Sequence, residues 1–341
     1  MLLFRDFSNW WPAGYHLKKI SGEKVLTVER VSQSSYFSDG FLAKEQTQLE
    51  SQLNIRYQKS WELNQLKPQI LITNTHTDLS KLPESTLENL ELIIHPNSGY
   101  DNFSADWVAH QKIPIVLGNS IRAGAVTETI IASFINRYIA LPKSQEWVSK
   151  RDFQRRLITD LNILIIGAGM IGQQVARKLK PLVGQIQFFD PFKNYLELDL
   201  NKADVIIVAA SLNPTSANFI DKAFLSECKP GFTLINTARG GIVNEVDLRE
   251  ALANDPLAFA YLDVFKQEPT DFSSFLPFIE RGQMICTSHI AGVFDELEAE
   301  MIKFEQEIIQ NFLKTRENPE IFLAQYSEQL LANRLHRNFL I

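Results

Sequence analysis

The residue types able to carry acid–base chemistry in this sequence stand near the ends of three predicted strands. Arg239 lies in the segment NTARGG, Glu268 in LDVFKQEP and His289 in TSHIAG. Ligands of doubly wound sheets bind at the carboxyl ends of strands, so we expect these three side chains to converge. A histidine there can exchange a proton near neutral pH, and a glutamate can hold its imidazole. An arginine offers a planar fork to a carboxylate.

A glycine loop upstream of these residues predicts a dinucleotide site. An apolar strand runs into GAGMIG, which places Gly167, Gly169 and Gly172 at the start of a predicted helix. Glycines at these positions permit the tight turn, the approach of a pyrophosphate and close packing of helix on strand. Asp190 ends the next strand, 18 positions after Gly172, where a carboxylate binds ribose hydroxyls and repels a 2′-phosphate. The sequence therefore favours NAD over NADP, and we interpret nearby Lys193 as a solvated loop residue.

Short apolar runs that alternate with helical stretches predict the fold class. Continuous runs suit strands covered on both faces, and helical crossovers imply parallel sheets. We therefore expect an α/β protein of two doubly wound parallel-sheet domains. Helices are expected over residues 125–139 and 295–313, and a polar stretch over 142–160 separates the domains. The predicted strands are Val25–Val28, Ile70–Thr73, Leu92–Ile94, Ile113–Leu117, Ile163–Ile166, Ile186–Phe189, Val205–Ala209, Thr233–Asn236, Ala260–Val264 and Met284–Thr287.

Composition excludes several classes of protein. The 341 residues include 34 basic and 40 acidic side chains, and this net charge of −6 argues against non-specific nucleic-acid binding. Two cysteines, Cys228 and Cys286, are too few for a disulfide framework or a cysteine zinc site, so no metal is expected. We see neither a signal-peptide core nor an apolar run of membrane-spanning length, and we expect a cytoplasmic protein.

These motifs together resemble the D-isomer-specific 2-hydroxyacid dehydrogenase family over roughly residues 24–318. HPNSGYDN, from His95, resembles the family's substrate-domain loop, and AVTETIIASF, from Ala125, resembles the helix that follows that domain. SLNPTSANFID, from Ser211, resembles the segment beneath the nicotinamide. The resemblance implies a flavodoxin-like substrate domain of residues 1–141 completed by 291–341, and a Rossmann-type NAD-binding domain of residues 142–290.

The resemblance also implies an activity, which is hydride transfer between NAD(H) and a small 2-hydroxy or 2-keto acid in a homodimer. Arg239 would bind the substrate carboxylate, His289 would act as general acid and base, and Glu268 would stabilise its protonated form. Further cofactor contacts are expected from Met170, Ile171, Ala210, Ser211, Leu212, Thr237, Ala238 and Asp263. Substrate contacts are expected from the backbone amides of Asn97, Ser98 and Gly99, and from His76.

Three segments depart from the family's pattern. The stretch between Asp190 and Asp204 is short, the inter-domain segment around Trp147 lacks the usual glycine–tryptophan pair, and the tail after Pro319 has no recognised counterpart. A formate dehydrogenase would carry glutamine in place of Glu268, so we set that activity aside. A dinucleotide-sensing, corepressor-like binding protein on the same fold is the alternative from another class. The substrate's side chain and the physiological direction of the reaction stay open.

Overall fold

The computed structural model describes residues 25–31, 38, 40–60, 67–110, 113–139, 147 and 156–333. The chain divides into two compact α/β units. The first unit contains the described residues up to Ile121 together with those from Asp295 onward, and the second unit contains Arg122–Phe294. The expectation of two doubly wound parallel-sheet domains is thus confirmed.

The first unit is built on a five-stranded parallel sheet with the order β2-β1-β3-β4-β5, which is the flavodoxin-like order. Its strands are β1 (Leu26–Val31), β2 (Ile55–Ser60), β3 (Ile70–Ile72), β4 (Leu92–His95) and β5 (Ile115–Leu117). Its helices are α1 (Phe41–Gln52), α2 (Glu84–Leu87), α3 (Ala105–His110), α9 (Leu297–Thr315) and α10 (Pro319–Gln325).

Strand β2 is the one strand of this sheet that the sequence analysis does not predict. Ile55 and Tyr57 are buried, whereas Arg56 and Gln58 between them are exposed. Among the described residues, the strand lies at the edge of the sheet and pairs with β1 alone. An edge strand with one solvated face alternates polar and apolar residues, so it lacks the continuous apolar run that marks the other strands.

The second unit is built on a six-stranded parallel sheet with the order β11-β10-β9-β8-β6-β7. Its strands are β6 (Asn162–Ile166), β7 (Gln185–Phe189), β8 (Val205–Val208), β9 (Thr233–Asn236), β10 (Phe259–Leu262) and β11 (Met284–Cys286). Its helices are α4 (Ala123–Tyr138), α5 (Met170–Leu179), α6 (Lys222–Ser226), α7 (Glu245–Asn254) and α8 (Leu276–Glu280). The strand order reverses at β6, which has β7 on one side and β8 on the other. The carboxyl end of β6 is therefore the topological switch point of this sheet.

The division between the two units lies before helix α4, whereas the sequence analysis predicts a boundary after it, at residue 141. Its buried side chains Val126, Ile130 and Phe134 share a core with Ile163 and Ile165 of β6. The helix therefore covers one face of the second unit's sheet, and the division falls before it rather than after it. Most of the polar stretch 142–160 lies outside the described residues.

The C-terminal segment packs into the core of the first unit. Ile308 and Phe312 of α9 and Phe322 of α10 join a buried cluster with the strands of that sheet. Beyond α10, Leu330 is fully buried and forms an antiparallel bridge with Val116 of β5. The described part of the tail after Pro319, which has no recognised counterpart in the family, thus packs within the first unit. In the described residues, no helix has the length and apolar character needed to cross a membrane.

A buried polar cluster lies beneath α1 and α9 in the first unit. Arg30 of β1 donates from Nη2 to Glu45 of α1 at 2.6 Å and to Glu305 of α9, and Tyr57 of β2 donates to Glu45. Burial acts to raise the pKa of Glu45, but the charge of Arg30 and the hydrogen bonds that Glu45 makes within the cluster together outweigh it, so the pKa lies below its usual range. Burial raises the pKa of Glu305 well above its usual range. One carboxylate and one carboxylic acid therefore accompany the single guanidinium.

Candidate active site

Asn236 shapes the loop that carries Arg239. This asparagine is fully buried at the end of β9, where its Oδ1 accepts from the Ala238 amide and its Nδ2 donates to the Arg239 carbonyl, both at 3.0 Å. A Cβ on Gly240 would lie 1.9 Å from the carbonyl carbon of Phe265. Only glycine allows this approach, which brings the loop after β9 against the loop after β10.

Glu268 and His289 form a hydrogen-bonded pair. Oε2 of Glu268 lies 2.7 Å from Nδ1 of His289, and its Oε1 accepts from the Phe265 amide at 2.9 Å. Partial burial acts to raise the pKa of Glu268, but the bonds from His289 and Phe265 and the charge of Arg239 outweigh it, so this pKa lies below its usual range. An ionised Glu268 fixes the proton on Nδ1 and leaves Nε2 of His289 to exchange a proton with a ligand.

Asp263 supports the loop that carries His289. Its carboxylate is fully buried and accepts from Thr287 Oγ1 at 2.6 Å and from the amides of Ile290 and Ala291, each at 2.9 Å. The sequence analysis expects Asp263 to contact the cofactor, but in the structure both of its carboxylate oxygens are bonded to the histidine loop. We therefore reassign it as a positioning residue for His289.

The glycine loop has the geometry that a pyrophosphate requires. Gly167 has a φ of +100°, and a Cβ on Gly172 would lie 2.1 Å from the Gly167 carbonyl oxygen. A Cβ on Gly169 would meet no atom within 4 Å, so open space lies at the start of α5. Met170 and Ile171 begin that helix, whose unpaired amides attract anions. These residues fit a dinucleotide.

Asp190 and Lys193 both contact Ala168, in the middle of this loop. Oδ2 of Asp190 accepts from the Ala168 amide at 2.8 Å, and Nζ of Lys193 donates to the Ala168 carbonyl at 2.7 Å. Lys193 is exposed in a turn, as the sequence analysis interprets it, and its ammonium also contacts the glycine loop. Asp190 begins a short turn that ends at Tyr195, and Lys193 lies within this turn.

The other expected cofactor residues lie at the carboxyl ends of β8, which pairs with β6 before the glycine loop, and of β9, which pairs with β8. The segment after β8 is accessible to solvent, whereas after β9 Thr237 is buried and Ala238 is partly accessible. The members of this group are Ala210, Ser211, Leu212, Thr237 and Ala238. α/β sheets bind ligands at the carboxyl ends of the strands around the switch point, which here is at β6.

The expected substrate loop lies in the first unit, after β4. The Asn97 amide donates to the His95 carbonyl at 2.7 Å, so it is used within the loop and differs from the expectation that it is offered to a ligand. The amides of Ser98 and Gly99 donate no hydrogen bond within the described part of the chain. His76 is exposed in the loop after β3, and its amide donates to Asn74 Oδ1 at 2.8 Å.

Buried polar residues under these loops were missed by the sequence analysis. His95 is fully buried, with Nδ1 2.9 Å from Thr73 Oγ1 and Nε2 3.0 Å from the Gly99 carbonyl. Asn102 donates to the carbonyls of Asn74 and Thr77, which joins the loop after β4 to the loop after β3. The one sequence signal for His95 was its place at a strand end immediately before the loop.

The cysteines and possible metal ligands add no further chemistry in the described residues. Burial raises the pKa of Cys228 and of Cys286 to about 12, so neither thiol is a nucleophile near neutral pH. No group of three or more histidine, cysteine, aspartate or glutamate side chains is arranged to hold a metal ion in this part of the chain.

Comparison with known proteins agrees with this architecture. Residues 130–291 match the family described as D-isomer specific 2-hydroxyacid dehydrogenase, NAD binding domain. The D-3-phosphoglycerate dehydrogenase of Mycobacterium tuberculosis is 27% identical over 220 residues, which are 60% of this chain and 41% of that protein. The chain thus spans less than half the length of this relative. The (S)-sulfolactate dehydrogenase of Chromohalobacter salexigens is 28% identical over 245 residues, 66% of this chain and 78% of that protein.

A solved structure shares the fold of both units. The D-lactate dehydrogenase of Aquifex aeolicus, complexed with NAD and lactic acid, aligns with a TM-score of 0.68 at 20% identity. The alignment covers 90% of this chain and 99% of that chain. The parallel sheets of both units therefore have counterparts in that fold.

Proposed function

We propose that this chain is an NAD-dependent oxidoreductase of small 2-hydroxy and 2-keto acids, because residues 130–291 match the NAD-binding domain of the D-isomer-specific 2-hydroxyacid dehydrogenase family. One observation carries the proposal. Nδ1 of His289 lies 2.7 Å from Oε2 of Glu268, and the charge of Arg239 also acts on that carboxylate. A proton donor, its orienting carboxylate and a cation for an anionic substrate therefore act together in the second unit.

Each of these residues has a separate task. Arg239 binds the substrate carboxylate and polarises the keto oxygen, since its planar fork matches a carboxylate. In the reduction, Nε2–H of His289 gives its proton to the keto oxygen as the keto carbon accepts hydride, and Glu268 stabilises the imidazolium beforehand. In the oxidation, neutral Nε2 removes the hydroxyl proton. The cofactor supplies or accepts the hydride when bound.

The cofactor and substrate contacts follow from the same proposal. Asp190 binds the adenosine ribose and disfavours a 2′-phosphate, which makes NAD the preferred cofactor. Ser98 and Gly99 contribute backbone amides to the substrate carboxylate, and His76 contacts the substrate. The geometry of the Ser98 and Gly99 amides supports this role, because they have no hydrogen-bond acceptor in the described residues.

The test is NADH oxidation against a panel of 2-keto acids that includes glyoxylate, pyruvate, hydroxypyruvate, a phosphorylated acid and a branched acid. Arg239→Ala should lower kcat/KM at least about 100-fold, because a charge-assisted bidentate contact is lost. Its Kd for NADH should stay within about 3-fold of the unmodified protein. Arg177→Ala, which removes an exposed arginine from α5, is the matched control and should leave both values unchanged.

The same experiment separates this proposal from the corepressor-like alternative. A dinucleotide sensor binds NADH tightly and turns over none of the acids, and that result would exclude the enzyme. We also propose a homodimer in the cytoplasm, on the basis of the family resemblance. Sedimentation of the purified protein tests the dimer, and a mass equal to one chain would contradict it.

A further inference from the structure

The turn after β7 holds Lys193 in a defined place. Asp190 and Tyr195 close this turn by exchanging two backbone hydrogen bonds, of 2.9 and 3.1 Å. Within it, the Lys193 amide donates to the Asp190 carbonyl at 2.9 Å, and Asn194 takes the left-handed conformation with a φ of +61°. So compact a turn fixes the direction of the Lys193 backbone relative to the glycine loop.

The ammonium of Lys193 is bonded to the glycine loop itself. It donates to the Ala168 carbonyl at 2.7 Å, and Gln173 of α5 donates to the same oxygen at 3.1 Å. That carbonyl belongs to the peptide that joins Ala168 to Gly169, where the cradle for a pyrophosphate is open. A positive charge therefore stands beside the dinucleotide site, on the side of the adenosine ribose that Asp190 defines.

Asp190 and Lys193 have opposite effects on a dinucleotide with a 2′-phosphate. A phosphate monoester carries close to two negative charges at neutral pH, so it is repelled by the Asp190 carboxylate and attracted by an ammonium. Both charges are anchored to Ala168, one to its amide and one to its carbonyl. A ribose substituent placed next to Asp190 thus lies near Lys193 as well.

We propose that Lys193 is a determinant of cofactor selectivity that offsets part of the discrimination by Asp190, so that the protein binds NADPH measurably while preferring NADH. The proposal rests on the proposed function only in requiring a dinucleotide at the glycine loop. It does not depend on which acid is the substrate or on hydride transfer.

The test is direct titration of NADH and NADPH by their fluorescence, with the full chain. Lys193→Met keeps most of the side chain's length and removes its charge. It should raise the Kd for NADPH about 5- to 10-fold and the Kd for NADH less than about 3-fold, because NADPH carries the extra phosphate. Lys180→Met, which removes an exposed lysine from the end of α5, is the matched control and should change neither value.

A second variant tests the opposition of the two charges. Asp190→Asn keeps an oxygen for the Ala168 amide, and it should lower the ratio of the NADPH Kd to the NADH Kd. The double variant should return that ratio towards the original value. Raising the salt concentration from about 50 mM to about 500 mM should reduce the effect of Lys193→Met, since exposed charges are screened.

Two results would overturn the proposal while NADH still binds. Equal weakening of NADH and NADPH by Lys193→Met would show that the lysine orders the loop without selecting the cofactor. No binding of NADPH by the unmodified protein would show that Asp190 alone decides. Failure of NADH to bind at all would overturn the dinucleotide site, whereas binding without turnover would overturn only the proposed activity.

Discussion

The backbone amide of His289 donates a 2.7 Å hydrogen bond to the carbonyl oxygen of Asp263. His289 has a φ of +55°, in the left-handed region that costs a non-glycine residue about 1–2 kcal/mol. Such a conformation persists where the surroundings enforce it. The carboxylate of Asp263 does so by accepting three further bonds from the same loop. The direction of the candidate acid–base imidazole therefore depends on a buried carboxylate at the end of β10.

Replacement of Asp263 should impair the chemical step more than cofactor binding. In Asp263→Asn, an NH₂ group faces a backbone amide of the histidine loop, so one bond is lost and two donors oppose each other. We expect kcat to fall about 10- to 100-fold with the Kd for NADH within about 3-fold, measured by steady-state kinetics and fluorescence titration. Asp271→Asn, in an exposed turn, is the control. Full kcat in Asp263→Asn would contradict the positioning role.

Loss of the Glu268 charge should change the pH profile of the reduction. The pKa of Glu268 is lowered, so its carboxylate is ionised throughout the neutral range and stabilises protonated His289. Glu268→Gln keeps the shape and removes the charge. We expect the maximum of kcat/KM for keto-acid reduction to fall and its acid limb, where the Glu268 carboxylate takes up a proton, to disappear. An unchanged acid limb would mean that Glu268 does not act on the proton donor.

The contribution of the Glu268 carboxylate to the stability of the folded protein should disappear at low pH. A carboxyl with a lowered pKa in the folded state stabilises that state above its unfolded pKa, and this contribution is lost as the pH falls through the lowered value. Denaturant titrations of Glu268→Gln and the unmodified protein should therefore converge as the pH is lowered into that acid range. A difference that grows on acidification would contradict this assignment.

Replacement of Glu305 should reduce the loss of stability that accompanies a rise in pH. Its pKa is raised by burial, so in the neutral range the folded state keeps a proton that the unfolded chain has released. Stability is then full below the unfolded pKa and falls as the pH rises towards the raised value, by about 1.4 kcal/mol per pH unit. The glutamine in Glu305→Gln does not titrate. As the pH rises above the unfolded pKa of Glu305, the free energy of unfolding of this variant should therefore fall less steeply than that of the unmodified protein, by about 1.4 kcal/mol per pH unit.

Denaturant titrations between about pH 5 and pH 8 measure this slope. The groups facing Glu305 are Arg30 on β1 and Glu45 on α1, with Tyr57 of β2 bonded to Glu45. Glu307→Gln, an exposed position on the same helix, is the control and should keep the original slope. Arg30→Met should instead destabilise the protein by about 3–5 kcal/mol, since it leaves a buried carboxylate unpaired. Equal slopes for Glu305→Gln and the unmodified protein would contradict a protonated Glu305.

Replacement of His95 should weaken substrate binding if Ser98 and Gly99 bind the carboxylate as proposed. His95→Phe removes the bonds to Thr73 and to the Gly99 carbonyl, each a buried neutral bond of about 1 kcal/mol. We expect the KM for the keto acid to rise about 5- to 10-fold, with kcat and the Kd for NADH within about 3-fold. His95→Gln, which can still donate to Gly99, should restore part of the KM. A loss of kcat with an unchanged KM would contradict this role.

The fold class and the main motifs were predictable because their signals are local. A run of apolar residues reports a strand covered on both faces, as in β6 and β8, and its length does not depend on distant partners. The glycine loop reports its own backbone requirements, seen in the φ of Gly167 and the contact of Gly172. Arg239, Glu268 and His289 could be predicted to lie close together because each follows a strand of a parallel sheet, and such strands end at the same edge.

Partners and burial were decided by tertiary structure alone. The sequence does not record that Asp263 is bonded to the histidine loop or that Lys193 contacts Ala168, since each bond depends on how separate segments pack. The edge strand β2 and the side of the boundary on which α4 packs depend on sheet order and on a shared core in the same way. The sequence by itself therefore determined which chemical groups are present and on which elements they stand. Long-range packing decided which of them meet, because hydrogen bonds form between atoms that are near in space rather than in sequence.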